Sequence, residues 1–517
     1  MKLAYDVLRD KILGCWNGKN AGGVVGAPFE AKRGVFDIDF YVQKDINGNP
    51  PANDDLDLQL LWLCGVERFG RQINSDILAD YWMSYIIPNW AEYGTAKNNM
   101  RGGMKPPVSG KWNNNFGQSC GCFIRSELWA CLAPGHPEIA VRLAYEDAIC
   151  DHWGEGVYGE LFCAALESAA FVENDLYKLV EIAFSYIPEN CQVAKAVKIA
   201  MDCYNSGKTW QEARKAILTE TPGTFGIQNV RPCDVEEDFP EAEPGCDAPS
   251  NIGLTILGIL YGEGDFGKSL CIAVNCGEDT DCTAATLGAM FGIIHGNSKL
   301  PEKWMAPIGN KINTKCINVR GYVPHNDFVP LLPKTTDELT DRTLACIPSI
   351  LDWRDVDMLS DRGLSVMTAE RLENDHENLF PIGCGFAFFK KIDELINRSP
   401  YQVENHFNTF NVILDYMGDP TIKVGEPRKL GVIIRQTRTI EHQQFMKVRL
   451  YTSSDLYIPK GYAFAAPLNN TYGSEIKFEF EVYADELTEP DQFVVVDVSV
   501  ADRHSDGICK FVLHPAF

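Results

Sequence analysis

The residues of this chain best suited to chemistry form two short acidic clusters that lie far apart in the sequence. The first reads Asn53-Asp54-Asp55-Leu56-Asp57, and the second reads Gly277-Glu278-Asp279-Thr280-Asp281-Cys282-Thr283. Each precedes an apolar segment with helical periodicity, so each cluster is predicted to open a helix. Crowded carboxylates repel one another unless a cation neutralises them or some take up protons. Oxygen ligands of this kind favour a hard divalent ion, Mg²⁺ first and Mn²⁺ or Ca²⁺ next.

Either cluster taken alone has a simpler explanation. Asn or Asp at a helix N-cap, with acids in the first turn, is ordinary capping and compensation of the helix dipole. The two clusters together contain more acids than capping requires. If the two helix starts meet in space, we expect them to form a site for one or two metal ions.

A stripe of glycines near the start of the chain is the third feature. Glycine recurs at every fourth position from Gly14 to Gly26, and a similar stripe runs from Gly288 to Gly296. Because each glycine costs a helix about 1 kcal/mol relative to alanine, a repeated stripe predicts close backbone packing, with the second stripe as the partner of the first. Glu30 follows the first stripe directly. Its carboxylate is either a candidate catalytic base or a solvated surface group.

In this order, the three segments resemble the ADP-ribosylglycohydrolase family. The glycine stripe with Glu30 is similar to the opening of that family, and residues 53–56 and 277–282 fall on its two metal motifs. Gly121-Cys122-Phe123-Ile124-Arg125 and Asp151-His152 are weaker matches, in the correct order, to its phosphate loop and its Thr-His dipeptide. The resemblance covers about residues 5 to 300.

The resemblance implies an all-α, orthogonally packed core that holds two Mg²⁺ ions. It implies the following metal ligands: Asn53, Asp54, Asp55, Asp279, Asp281 and Cys282. It implies a catalytic group of Glu30, Asp55 and Asp279, in which Glu30 is a mobile acid/base or a substrate-orienting carboxylate. It implies that Gly117, Ser119, Gly121 and His152 bind the nucleotide, with backbone N–H groups of the loop facing a pyrophosphate. His152 could equally be a core histidine.

Four positions depart from the family pattern. Gly23 stands where the family has Asp, Leu56 where it has Thr, and Cys282 where it has a final Thr. In the fourth departure, Asn53 replaces a Thr or Ser but keeps a side-chain oxygen. A thiol is a poor ligand for Mg²⁺. That coordination position is therefore lost, filled by water or taken over by Thr283.

Three functions remain open from the sequence. The first is a Mg²⁺-dependent hydrolase that cleaves the ribosyl C1 bond of ADP-ribosylated protein or of a small ADP-ribosyl conjugate. The second is a glycosidase of the same fold that acts on another ribosyl or glycosyl substrate. The third is an inactive ADP-ribose-binding protein, which would follow if Gly23 and Cys282 abolish metal binding.

Three regions with different patterning must position these residues. Residues 1–300 are predicted to form the helical catalytic domain, and residues 301–404 a mainly helical connector. Residues 405–517 show period-two alternation, as in EIKFEFEV, and predict a small antiparallel β-sandwich. That domain could serve as an oligomerisation surface, a lid or a carbohydrate-binding module. Within the helical part, long irregular segments are expected over 93–118 and 222–251.

Composition excludes several classes of protein. A net charge of −24 argues against non-specific binding to nucleic acid or to an anionic membrane. No window is apolar enough for a transmembrane helix, and charges interrupt the first residues where a signal peptide needs an apolar run. The 18 cysteines include no C-x-x-C pair. We expect reduced thiols and a cytoplasmic protein.

Overall fold

Apolar residues at helical spacing form helices through the first part of the chain. The computed structural model describes residues 1–30, 32–223, 232–236, 245–318, 332–359, 363–375, 392–437 and 442–516. Within these residues the helices are α1 (Tyr5–Gly26), α2 (Asp54–Phe69), α3 (Ser75–Tyr85), α4 (Ala91–Arg101), α5 (Val108–Lys111), α6 (Ser126–Leu132), α7 (Pro137–Ala148), α8 (Glu155–Ala169), α9 (Leu176–Phe184), α10 (Gln192–Asn205), α11 (Trp210–Glu220), α12 (Pro232–Glu236), α13 (Ala248–Gly262), α14 (Phe266–Asn275), α15 (Thr280–His295), α16 (Glu302–Ile308), α17 (Thr336–Ile350) and α18 (Ile392–Ile396).

Strands dominate the end of the chain. The strands are β1 (Lys2–Ala4), β2 (Val356–Asp357), β3 (Ser365–Met367), β4 (Gln402–His406), β5 (Phe410–Asp415), β6 (Thr421–Ile422), β7 (Arg428–Gln436), β8 (Gln444–Thr452), β9 (Leu456–Tyr457), β10 (Ala463–Leu468), β11 (Glu475–Ala484), β12 (Gln492–Val500) and β13 (Asp506–Pro515). The chain divides into two units, one of Met1–Gly94 and Asn114–His376 and one of Thr95–Asn113 and Glu377–Phe517.

The β unit is a sandwich of two five-stranded sheets, which confirms the predicted fold class. The strand orders are β10-β8-β12-β13-β6 and β4-β5-β7-β11-β9. Alternate residues of β8 are buried, and residues of both sheets, such as Val448 and Val432, belong to one apolar core. Pairing between neighbouring strands is antiparallel, except that β13 and the two-residue β6 run parallel.

The structure differs in two details from the prediction for the helical part of the sequence. It contains a small sheet of order β1-β3-β2, which the helical periodicity does not reveal. The expected irregular segment over 93–118 is wrong in part, because α4 and α5 occupy much of it. α4 forms despite its glycine and asparagines because it buries Tyr93 and Ala96. In the segment 222–251, residues 224–231 and 237–244 lie outside the described residues.

α1 and α15 pack backbone against backbone, antiparallel, along the two glycine stripes. A Cβ added to Gly14 would lie 2.5 Å from the carbonyl oxygen of Gly292, and a Cβ on Gly18 would overlap the carbonyl of Gly288. Nearer the site, the same is true of Gly26 against the carbonyl of Thr280. The predicted pairing of the two stripes is confirmed. Glycine is required here because the atoms that would clash belong to the main chain, which cannot rotate away.

Replacing Gly18 by alanine tests this contact. We expect Gly18→Ala to lower the free energy of unfolding by roughly 1–3 kcal/mol, because overpacking outweighs the gain of about 1 kcal/mol in helix propensity. Gly65→Ala in α2 is the matched control, since its new Cβ would meet the mobile Cδ1 atom of Ile73 at 3.2 Å. Thermal unfolding followed by circular dichroism measures both. Equal stability of the two variants would contradict the contact.

Candidate functional site

The two acidic clusters meet where α1 ends. The Thr280 hydroxyl donates a 2.9 Å hydrogen bond to the carbonyl of Gly26, which ties the start of α15 to the end of α1. α2 begins beside them, and carboxylate oxygens of Asp54, Asp55 and Asp281 lie within 4.8 Å of one another. The helix starts expected to come together therefore do so.

Two of these carboxylates are buried, and their charge is only partly compensated. Asp55 and Asp281 are 1% and 3% exposed. Asp55 Oδ2 and Asp281 Oδ1 have no hydrogen-bond partner among the described residues. Burial raises the pKa of both groups; Asp54 and Asp279 add to the effect at Asp55, and Lys19 opposes it. An oxygen-lined cluster with unpaired buried carboxylate oxygens fits a hard divalent cation, which would neutralise it.

Asp279 and Cys282 form an adjoining group with Cys120, which no sequence motif marked as a ligand. Asp279 Oδ2 accepts a 2.6 Å hydrogen bond from the thiol of Cys120, and Cys120, Asp279 and Cys282 offer ligand atoms within 4.8 Å of one another. The Cys282 thiol also lies 3.5 Å from Asp55 Oδ1. The two groups are therefore contiguous.

Asn53 and Thr283 both use their side chains locally. Asn53 is the N-cap of α2, and its Oδ1 accepts a 2.9 Å hydrogen bond from the Asp55 amide, which leaves a second lone pair on that oxygen. Its amide nitrogen lies directly over Gly23, where a Cβ would overlap it. The Thr283 hydroxyl donates to the carbonyl of Thr280 at 3.2 Å.

Asp57 and Glu278 belong to the acidic clusters in sequence but not to the site. Asp57 Oδ2 accepts hydrogen bonds of 2.7 and 2.8 Å from the amides of Lys315 and Cys316. Glu278 is fully buried and forms a two-pronged ion pair with Arg33. Both carboxylates therefore hold neighbouring chain segments in place.

Two lysines offset part of the negative charge of the cluster. Lys315 Nζ lies 3.1 Å from Asp54 Oδ1, and although partial burial opposes it, Asp54 raises the pKa of Lys315. On the other side of Asp55, the buried Lys19 pairs with Glu127 at 2.7 Å. Neither lysine was predicted. Lys19 lies within the glycine-rich helix, and no sequence motif marks it. Lys315 belongs to a segment whose backbone amide donates a hydrogen bond to Asp57.

Glu30 lies at the exposed rim of the cluster, just after the short turn Ala27–Phe29 that follows α1. Partial burial and the carboxylates of Asp279 and Asp54 raise its pKa, while Lys315 opposes the rise. A carboxyl with this environment retains its proton more readily than a free glutamate. It could therefore hold or transfer a proton at the edge of the site.

The predicted nucleotide-binding residues are partly brought together. Ser119 Oγ lies 3.0 Å from His152 Nε2, and both residues are buried. The Ser119 amide is already engaged, because it donates to the carbonyl of Phe116 at 2.9 Å. Gly121 lies against Glu92, whose carboxyl a Cβ at position 121 would overlap. The role of these residues in phosphate binding stays a prediction.

Arg125 joins the two weaker motif segments. Its guanidinium contacts Asp151 at 2.9 Å and also pairs with Asp147, all three being fully buried. Although burial acts in the opposite direction, Arg125 and the adjacent His152 hold the pKa of Asp151 below its ordinary value. His152 is therefore fixed by a buried ion-pair network.

Glu92 provides a pH test of this region. Burial raises its pKa to about 7 from an ordinary 4.5, against the opposing effect of His152. Since the folded-state pKa exceeds the unfolded one, the folded protein should lose stability as pH rises between these two values. A separation of one pKa unit corresponds to about 1.4 kcal/mol. We expect Glu92→Gln to lose less stability over that interval than the wild type, as measured by melting temperature.

Glu181→Gln is the control for that comparison, because Glu181 is an exposed residue of α9. Its pH profile should match that of the wild type. If Glu92→Gln also matches it, Glu92 ionises normally and the burial argument is wrong.

Comparisons with known proteins bear on the helical unit. A family model described as ADP-ribosylglycohydrolase matches residues 4–329, whereas no curated protein matches the sequence. Among solved structures, the chain is similar to the native conformation of E. coli alpha-2-macroglobulin at 15% identity and a TM-score of 0.18, covering 21% of this chain and 7% of that one. It is also similar to Pseudomonas fluorescens alkylpurine DNA glycosylase AlkC bound to DNA containing an abasic site analog, at 12% identity and a TM-score of 0.15, covering 90% and 99%.

At these TM-scores neither solved structure informs the fold or function of this chain. Among the helices that the structure describes, none is both long and apolar enough to cross a membrane. The family match stands on its own, over more than half of the 517 residues. The chain belongs to the ADP-ribosylglycohydrolase family.

Proposed function

We propose that this protein is a Mg²⁺-dependent hydrolase that cleaves the ribosyl C1 bond of ADP-ribosylated protein or of a small ADP-ribosyl conjugate. Membership of the family supports a hydrolase of glycosidic bonds whose activity depends on metal. The single observation that carries the proposal here is the convergence of Asp54, Asp55 and Asp281 with two unpaired buried carboxylate oxygens. An inactive binder would have no need for so costly an arrangement.

Asp54, Asp55, Asp279 and Asp281 would hold the divalent ions, with Asn53 as a further oxygen donor. When bound, the ions would supply positive charge that orients the ribose hydroxyls and polarises water. The carboxylates themselves stabilise the oxocarbenium character that develops at C1 as the bond breaks. Cys282 is a weak candidate ligand for Mg²⁺, because its sulfur is soft.

Glu30 moves the proton in this proposal. Its position at the rim, beside Asp279 and Asp54, places a carboxyl between the cluster and solvent. A group there can protonate the departing side chain or accept a proton from the attacking water. Ser119, His152 and the glycines of the loop 117–121 would bind the nucleotide end of the substrate.

The cysteines support a reducing compartment. No disulfide joins any of the 17 cysteines within the described residues, and most of them are buried. Disulfides are rare where glutathione and thioredoxin keep thiols reduced. We therefore place the protein in the cytoplasm.

Asp281→Asn tests the metal-dependent mechanism. The amide keeps the shape of the carboxyl but removes a charged ligand, so we expect turnover to fall at least about 100-fold. The metal-free variant should melt no lower than the metal-free wild type, since an uncompensated buried charge is removed. Release of ADP-ribose from arginine- and serine-ADP-ribosylated peptides, with Mg²⁺ or with chelator, measures the effect. Asp45→Asn, at an exposed residue of the same unit, is the control.

The same assay separates the three candidate functions. Metal-dependent release of ADP-ribose supports the hydrolase. Release of 4-nitrophenol from an aryl riboside, without action on either peptide, would favour the glycosidase. Tight binding of ADP-ribose without turnover of any substrate would favour the inactive binder, and unchanged turnover by Asp281→Asn would remove the metal mechanism.

Glu30→Gln separates proton transfer from metal binding. The amide cannot exchange a proton, so kcat should fall by roughly 10²–10⁴-fold while Mg²⁺ affinity, followed by calorimetry, stays close to that of the wild type. Glu181→Gln, at an exposed residue of α9, serves as the control. A loss of Mg²⁺ affinity equal to that of Asp281→Asn would show that Glu30 is a ligand instead.

A further inference from the structure

Two thiols and one carboxylate converge beside the acidic cluster, and a third cysteine adjoins them. Cys120, Asp279 and Cys282 place ligand atoms within 4.8 Å of one another, and the Cys120 thiol lies 2.6 Å from Asp279 Oδ2. Cys246 adjoins Cys120 through the main chain but is not among the mutually close ligand atoms. Cys120, Cys282 and Asp279 are buried, and Cys246 is half-buried.

The backbone holds this group together across three distant segments. The Cys120 amide donates to the carbonyl of Cys246 at 2.8 Å, and Ser119 forms an isolated bridge with Asp247. Asp279 and Cys282 come from the start of α15, which the contact with α1 fixes. The thiols are therefore placed by the same architecture that places the carboxylates.

The chemistry of this donor set differs from that of its neighbour. Thiolate sulfur is a soft ligand that selects Zn²⁺ and related ions over Mg²⁺, and three sulfurs with one carboxylate oxygen make up the four ligands of a tetrahedral zinc site. Buried cysteines ordinarily act as small apolar side chains. Here, however, the thiols of Cys120 and Cys282 lie against Asp279, a carboxylate that the proposed hard-cation site also needs.

We infer that Cys120, Cys282 and Asp279 bind one soft divalent ion of the zinc class with the adjoining Cys246 as its fourth ligand, and that this ion competes with Mg²⁺ for Asp279. Each cysteine that binds the ion loses its thiol proton to solvent. The binding itself stands on the geometry of the thiols alone. Only its inhibitory effect rests on the proposed function.

Cadmium titration tests the binding directly. The full chain, reduced with a phosphine and freed of metal, should gain a thiolate-to-Cd²⁺ absorption band in the ultraviolet at one ion per chain. Cys120→Ser and Cys282→Ser should lose that first equivalent. Cys150→Ser is the matched control, because Cys150 is also buried and hydrogen-bonded, through the carbonyls of Ser75 and Glu146, and should retain the band.

A second measurement uses the unmodified protein, in case a serine variant fails to fold. Zn²⁺ should slow alkylation of the half-buried Cys246 at least about tenfold, as mapped by mass spectrometry, if the ion covers its sulfur. An unchanged alkylation rate would overturn the inference. So would a band that persists equally in Cys282→Ser and Cys150→Ser, or a disulfide joining Cys120 to Cys246 in metal-free protein.

The inhibitory effect has its own readout. Zn²⁺ should suppress Mg²⁺-dependent release of ADP-ribose, and excess Mg²⁺ should restore it. In Cys246→Ser the zinc concentration for half-inhibition, measured against that variant's own zinc-free rate, should rise at least tenfold. A cadmium band without hydrolysis of any substrate would reject the proposed function and support the thiol site. Hydrolysis without a cadmium band would reject the thiol site and support the proposed function.

Discussion

The close approach of α1 and α15 is the constraint on which the rest of the helical unit depends. At Gly14, Gly18 and Gly26, main-chain carbonyls of the partner helix occupy the space that a side chain would fill. Helices this close cannot shift along one another without a clash, so their ends are fixed relative to each other. The end of α1 carries Glu30, and the start of α15 carries Asp279 and Asp281. Backbone packing therefore fixes where the carboxylates stand.

Fixing carboxylates together in a buried place has an electrostatic cost that the protein only partly offsets. Lys315 approaches Asp54 from the solvent side, and the pair of Lys19 with Glu127 lies behind Asp55. Neither cation contacts the unpaired oxygens of Asp55 and Asp281. A divalent ion would offset what the lysines do not, so its binding would draw on the same uncompensated charge that destabilises the metal-free site.

Much of this arrangement could be predicted because it is periodic or local. The glycine stripes, the helix starts at Asp54 and Thr280, and the alternation of the β strands follow from spacing alone. Residues that act through non-local contacts were missed. Lys19 is one of many polar residues in a helical pattern. Cys120 and Cys246 are far apart in the sequence, and their spacing matches no metal-binding motif. Only the folded chain shows that each has a partner.

The type of residue at a motif also predicts its role less well than the direction in which its side chain points. Asp55 and Asp57 lie in the same first turn of α2, yet one faces Asp281 and the other holds the amides of Lys315 and Cys316. Counting acids cannot separate a ligand from a structural anchor, because the helix turns by about 100° per residue. Cys282 shows the converse. As a thiol it fits poorly into a site of oxygen ligands, but its neighbours make it part of a second set of ligands. A departure from a family pattern can therefore mark an added site as well as a lost one.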